Sequence, residues 1–246
     1  MRPKDLGQFG QRVGTRRSVK RGDALFRAGD RFKSLYVVCT GSLKSTVAAL
    51  DGREQVTGFY TAGELVGWDG IHTGRHSFDM LALVDVDVRV LPYAQLQSAA
   101  GSPPTLRTHL HKMMSREIVR DHQMMLLLGS MRADERLAAF LLNLAQSLRT
   151  ERRADGKFAL SMTRAEIGSF LGLKLETVSR AFSRLARDGL IELNYRQVRI
   201  VSPQRLRRVL YGASVRQPRW TRRSDGKPRA QRATIVARQA VRSEPD

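Results

Sequence analysis

The chain has 246 residues, 41% of them hydrophobic and 27% charged, and one cysteine, Cys39. That length accommodates two modest domains at roughly 100–200 residues each, and a lone cysteine excludes a disulfide framework and a cysteine-rich metal site within one chain. Forty-three Lys and Arg stand against twenty-three Asp and Glu, a formal +20 with a pI near 11.3. Such a field attracts polyanions, nucleic acid above all; the competing source is an arginine-rich coding bias, but the basic excess gathers towards the C-terminus. The segment from Met1 to Leu6 leads into polar sequence, and no apolar run approaches the roughly 20 residues of a membrane span. The expectation is a soluble, cytoplasmic protein with no membrane partner.

Residues 1–17 read as an N-terminal arm. From Ser18 to Pro92 short β-like runs alternate with glycine turns: Ala24 to Phe26, Ser34 to Cys39, Ser42 to Leu50, Gln55 to Tyr60 and Val84 to Leu91. Asp51-Gly52 between two such runs is a hairpin signal, because both central residues of a type I′ turn need positive φ. Val84 to Val90 alternates with period two, one side towards a core and the other towards water. Many short strands at this spacing predict a small barrel or roll over residues 18–104. Cys39, in an apolar run, reads as a buried small hydrophobe.

After Pro103-Pro104 the pattern becomes helical. Leu110, Met114, Ile118, Asp121, Met125 and Leu128 follow a heptad seam, which predicts a dimerisation helix over 105–130. Asp121 falls within the seam, so two carboxylates would meet across a two-fold axis and tune the dimer equilibrium. A second helix runs from Ala133 to about Arg149, opened by Asp134-Glu135, whose charge suits a helix N-terminus. Residues 213–246 are rich in Arg, Pro and Ser with little periodicity and read as a disordered basic tail.

Between them, residues 131–212 hold a compact C-terminal unit. Thr163-Arg164-Ala165-Glu166 is a capping-box pattern, Leu171-Gly172-Leu173 a sharp turn, and a second helix runs from Leu175 to Asp188 and stops at Gly189. Val178, Phe182 and Leu185 point to a core, whereas Thr177, Arg180 and Arg184 lie opposite, flanked by Glu176 and Ser179. Residues 190–201 alternate as a two-stranded wing around Asn194-Tyr195-Arg196. Paired helices joined by a glycine turn, with polar residues opening the second, form a winged helix-turn-helix that enters a major groove. Arg bonds bidentately to guanine and Glu accepts from cytosine N4. The competing arrangement is a surface salt bridge between Glu176 and Arg180, worth a few tenths of a kcal/mol. Thr163, Arg164, Lys174, Thr177, Arg184 and Arg196 are assigned to the DNA backbone, where contacts position without specifying.

These stretches resemble the CRP/FNR family of bacterial regulators over roughly residues 19–209. The resemblance is closest to the FNR branch at Asp134 to Phe140, at Thr163 to Gly168, at Gly172-Leu173 and at Glu176 to Arg180. It implies an α+β fold: an N-terminal cyclic-nucleotide-type β-roll, a long dimerisation helix and a C-terminal winged helix-turn-helix. It further implies a homodimer on double-stranded DNA with TTGAT-like half-sites, Glu176, Ser179 and Arg180 reading bases. RNA polymerase is the implied partner, by analogy at the hairpin from Asp51 to Gln55. Lys174 departs from the pattern, standing where many relatives carry a Thr cap.

The sensor is less legible. Gly63 to Gly67 resembles the phosphate-facing loop of the family's roll, but Thr73-Gly74-Arg75-His76-Ser77 places a His inside the Arg-Ser pair that holds a cyclic phosphate. The stretch from Gly63 to Ile71 is FNR-like, and cyclic nucleotide is not expected. Iron–sulfur members use four cysteine thiolates, which this chain lacks, Arg89 standing where the roll cysteine is expected. Haem is a candidate cofactor through His72, His76, His109, His111 or His122, near Met113, Met114, Met124 and Met125. Against it, the histidines are expected mostly on loops or exposed faces, and the methionines in a dimer core. No nucleophile elbow, P-loop or metal-ligand spacing is present, so no enzyme is expected. The remaining readings are a ligand sensor with its output elsewhere and an architectural DNA binder that lacks sequence preference.

Overall fold

A computed structural model describes residues 14–48, 52–98, 104–148 and 156–212. Residues 1–13, Asp51 and the basic tail at 213–246 lie outside them. Among the described residues, eight strands build the N-terminal roll: β1 (Thr15–Val19), β2 (Ala24–Phe26), β3 (Ser34–Thr40), β4 (Ser42–Ala48), β5 (Glu54–Thr61), β6 (Leu65–Val66), β7 (Asp79–Ala82) and β8 (Val86–Pro92). They form two antiparallel sheets, ordered β1-β8-β3-β6 and β2-β7-β4-β5. Val19, Phe26, Val38, Leu43, Met80 and Val88 share one buried cluster drawn from both. The predicted alternation of β8 holds: Val86 and Val88 are buried, while Asp87 is reached by Arg16 and Asp85 by Lys20.

Two expectations are corrected here. β1 begins at Thr15, inside the segment read as an arm; four of its five residues are exposed, so its pairing with β8 makes it a strand without any alternation to mark it. Cys39 is exposed rather than buried. The β3–β8 register slips between Val38 and Thr40, so two residues of β3 step past one of β8. A bulge of this kind re-aims the extra side chain, and Cys39 is that residue.

Four helices follow the early strands: α1 (Gly70–Thr73), α2 (Tyr93–Ser98), α3 (Pro104–Ser130) and α4 (Ala133–Ser147). α3 is the predicted long helix. On it Met114, Ile118, Asp121, Met125 and Leu128 are exposed, Ile118 at 56% and Met125 at 62%, with Val119 and Leu126 beside them. Leu110 departs from the seam and packs, half-buried, against the roll cluster of Leu35, Leu65 and Leu91. At the roll face of α3, Arg120 binds Glu64 at 3.2 Å, donates to the Phe59 carbonyl and lies over the Tyr60 ring, 4.9 Å from its centroid. Tyr60 Oη donates to Glu117 at 3.2 Å, and burial pushes the pKa of Tyr60 and of Glu117 up.

The C-terminal unit comprises β9 (Lys157–Ala159), α5 (Arg164–Leu171), α6 (Leu175–Arg187), β10 (Ile191–Asn194), β11 (Gln197–Ile200) and α7 (Pro203–Gly212). Its sheet has three strands, β10-β11-β9, because β9, just ahead of α5, pairs with the β11 strand of the wing. α7 was not expected from the sequence; it docks through Leu206, which is fully buried.

The hairpin β4–β5 does not project freely. Val56 N–H donates to Ser169 Oγ at 2.9 Å, and Gln55 Nε2 donates to the Ser169 carbonyl. Ser42 Oγ meets Ser161 Oγ at 2.7 Å, and Lys44 Nζ reaches Glu166 at 2.8 Å. Phe59 of β5 packs with Phe140 of α4 and Phe170 of α5 at centroid distances of 5.1–5.9 Å. Ring pairs at such separations add about 0.5–1.5 kcal/mol beyond their buried area. One apolar cluster therefore runs from the roll into the C-terminal unit.

Candidate nucleic-acid interface

The interface is built from local signals that close on themselves. Thr163 takes an extended N-cap conformation; its Oγ1 accepts from Glu166 N–H at 3.2 Å, and Glu166 Oε2 accepts from Thr163 N–H at 2.6 Å. Both halves of the predicted capping box are formed. Burial raises the Glu166 pKa, but hydrogen bonds from Lys44 and Thr163 outweigh it and hold the carboxyl below the usual range. α5 ends at Gly172 (φ 61°), the left-handed position that costs glycine least, and Leu173 N–H returns to Gly168 O at 2.8 Å. A Cβ at Gly168 would stand 2.6 Å from the Leu173 carbonyl oxygen, so the turn tolerates no side chain there.

α6 then presents its two faces as predicted. Val178, Ala181, Phe182 and Leu185 are buried, whereas Glu176, Ser179 and Arg180 are exposed at its start and Thr177 is half-buried. Among the described residues no ion pair joins Glu176 to Arg180; Arg180 Nε reaches only the Glu176 carbonyl, at 3.4 Å. Both charged groups are left available to an external partner. Lys174 occupies the N-cap without a side-chain bond, so the missing Thr is not replaced. β10 and β11 pair around Tyr195, which has φ 51° and is almost fully exposed at the wing tip.

Two predicted backbone residues are engaged elsewhere. Arg184 grips Asp134 of α4, with Nε at 2.9 Å and Nη2 at 2.7 Å. Arg164 lies over the Phe182 ring, 3.2 Å from its centroid, and burial lowers its pKa to about 10. Lys174 and Arg196 remain exposed; Arg196 makes one long contact, 3.5 Å to Ser161 O. Sequence reasoning missed Lys44, which ties the roll to the capping box across 122 residues. His76, a haem candidate from the sequence, lies on a loop but is buried. Lys44 has no local signal, and His76 is betrayed only by Phe26 and Phe32, distant in sequence.

An exposed Glu-Ser-Arg set opening a recognition helix, a wing beside it and a basic C-terminal half define a winged helix-turn-helix DNA-binding regulator. Residues 135–209 match the Crp-like helix-turn-helix domain and residues 16–102 the cyclic nucleotide-binding domain. The chain is 43% identical to the transcriptional activator protein Anr of Pseudomonas protegens, covering 82% of this chain and 83% of that protein. It is 40% identical to the transcriptional regulatory protein Btr of Bordetella pertussis, covering 84% and 85%. The solved structure of FixK2 from Bradyrhizobium japonicum superposes with a TM-score of 0.71 at 33% identity, covering 80% and 97%. The protein belongs to the CRP/FNR family of transcription regulators; it binds DNA through this helix-turn-helix and is not an enzyme. No helix among the described residues is long and apolar enough to cross a membrane.

Proposed function

We propose that the protein is a homodimeric regulator that reads TTGAT-type palindromes through Glu176, Ser179 and Arg180, without an iron–sulfur cluster. The observation that carries the reading is the exposed, mutually unpaired Glu176 and Arg180 at the start of α6. Guanine offers O6 and N7 to such an Arg, cytosine N4 donates to such a Glu, and each good pair discriminates by about 1–3 kcal/mol. The exposed apolar stripe of Met114, Ile118, Met125 and Leu128 is the seam for a second copy.

One cysteine does not supply the four thiolates of a cluster. The residues fit haem no better: His72, His111 and His122 are exposed, and the His76 ring is stacked on Phe26 at 3.6 Å, which leaves no space for a porphyrin on that face. The side chain of His109 lies outside the described residues. RNA polymerase is the partner in this reading. The β4–β5 hairpin meets α5 at the Glu54 carbonyl, at Gln55 and at Val56, and the exposed stretch Gly52 to Glu54 is the candidate contact.

The test is footprinting of a TTGAT palindrome and its base-substituted variants with aerobically purified protein. Protection should be symmetric, and Glu176→Ala or Arg180→Ala should lose discrimination by about 5–150-fold. Equal affinity for every duplex would instead make the protein an architectural binder.

A further inference from the structure

A buried carboxylate sits where α1 meets the turn that follows it. The Asp69 side chain is 8% exposed and that of His76 only 1%. Asp69 Oδ2 accepts from Ser77 N–H at 2.7 Å, and His76 Nδ1 lies 3.2 and 3.3 Å from the two carboxylate oxygens. A carboxylate only accepts, so Nδ1 is the donor in this contact. The ring stacks on Phe26 and meets Phe32 edge-on, 5.8 Å between centroids, and Nε2 is buried without a partner. Phe32 also closes over α1: a Cβ at Gly70 would fall 2.6 Å from Phe32 Cβ.

Such a carboxylate is costly unless donors converge on it. Among the described residues no Lys or Arg lies within ion-pair distance of Asp69. The residue occupies the N-cap of α1 yet makes no capping bond; its oxygens serve donors seven and eight residues further on. Arg75 turns away, its Nη1 on the Gly29 carbonyl at 2.6 Å. The turn is anchored separately, by His76 N–H to Asp30 O at 2.9 Å and Gly29 N–H to His76 O at 2.8 Å. The backbone beneath the two donors is thus held independently of residue 69. The donors define an oxyanion site, inside a domain matched to a class whose ligand carries a phosphate.

We infer that Asp69 is a built-in anion: its carboxylate fills an oxyanion site in the roll and holds the roll in the form a bound oxyanion would otherwise stabilise. This role of Asp69 is separate from DNA reading and does not depend on the operator read. Removing the side chain empties the site, and a small external oxyanion then takes its place.

The experiment is thermal unfolding of the full chain, wild type and Asp69→Ala, with sodium formate, inorganic phosphate or sodium chloride at matched ionic strength. The alanine variant should melt about 5–10 °C below wild type, since two charge-assisted hydrogen bonds disappear. Formate should raise the variant's Tm and not that of wild type, and chloride should raise neither. Recovery by phosphate as well assigns a phosphate-sized site, and recovery by formate alone a carboxylate-sized one. An equal response of both proteins to each oxyanion overturns the inference. Asp69→Asn keeps the volume and one acceptor, so it should fold and gain nothing from formate even where Asp69→Ala folds poorly; rescue of Asp69→Asn by formate also overturns it.

Discussion

Replacing Glu166 with Ala strips the acceptor from three donors at once: Thr163 N–H at 2.6 Å, Thr163 Oγ1 at 2.9 Å and Lys44 Nζ at 2.8 Å. Losing the capping half costs about 1 kcal/mol, by the usual scale of such caps. The hydrogen bond to a charged partner adds about 1.5–3 kcal/mol in full burial. Here it is discounted because Lys44 and Glu166 side chains keep 17% and 20% of their surface in water. The sum is about 2–3 kcal/mol, or a Tm lowered by roughly 4–12 °C for a chain of this size. Lys44→Met should cost about 1 kcal/mol, and the double mutant should show a coupling of about 1 kcal/mol.

The pH dependence follows from the same pair. Glu166 has a folded pKa below the usual 4.5, so its stabilisation is present above about 4.5 and is lost as pH falls through the lower folded value. Urea unfolding at neutral pH and under acid conditions measures both effects, with Glu166→Gln as the uncharged reference. A coupling under about 0.3 kcal/mol, the scatter of additive sites, refutes the claim that the roll supports the first helix of the DNA reader through this pair.

Glu117 carries the opposite sign. Burial raises its folded pKa, so the native state gains stability as pH falls through that raised value and forfeits it as pH rises. Glu117→Gln, which still accepts from Tyr60, should raise the neutral-pH Tm and flatten the profile; an unchanged profile contradicts the assignment. Asp121→Ala should tighten dimerisation, read by sedimentation equilibrium, because two like charges leave the proposed seam; weaker association would place the seam elsewhere. Arg184→Ala should lower the Tm yet leave the salt dependence of DNA binding intact, since its guanidinium is spent on Asp134. Arg196→Ala should reduce that slope by about 0.9, the share of a single neutralised phosphate; the reverse pattern would restore Arg184 to the backbone.

What the sequence made legible is local. The capping box at Thr163 and Glu166, the left-handed Gly172, the stop at Gly189 and the spacing of Val178, Phe182 and Leu185 each involve residues within about one or two helical turns. Pairings across the fold were not legible. Arg184 looks like a free surface cation until Asp134, fifty residues earlier, is brought beside it. Cys39 sits in an apolar run, but a register slip against β8 turns it outward, and no feature of its own run encodes the slip. β1 failed to register because an edge strand with four exposed residues has no alternation, and the burial of His76 because a loop of small and polar residues gives no sign of the aromatic walls that enclose it.

The meeting of Phe59, Phe140 and Phe170 bears on how this regulator can be rebuilt. A DNA reader cut out near residue 131 would carry Phe140 and Phe170 with their partner removed, leaving apolar surface that invites aggregation. A chimera that grafts this reader onto another roll should stay soluble and fold only if the host supplies an aromatic at the place of Phe59 and a cation at the place of Lys44. On the proposed reading of bases by Glu176, Ser179 and Arg180, transplanting the specificity of α6 is therefore better done by exchanging those three within an intact chain than by exchanging domains.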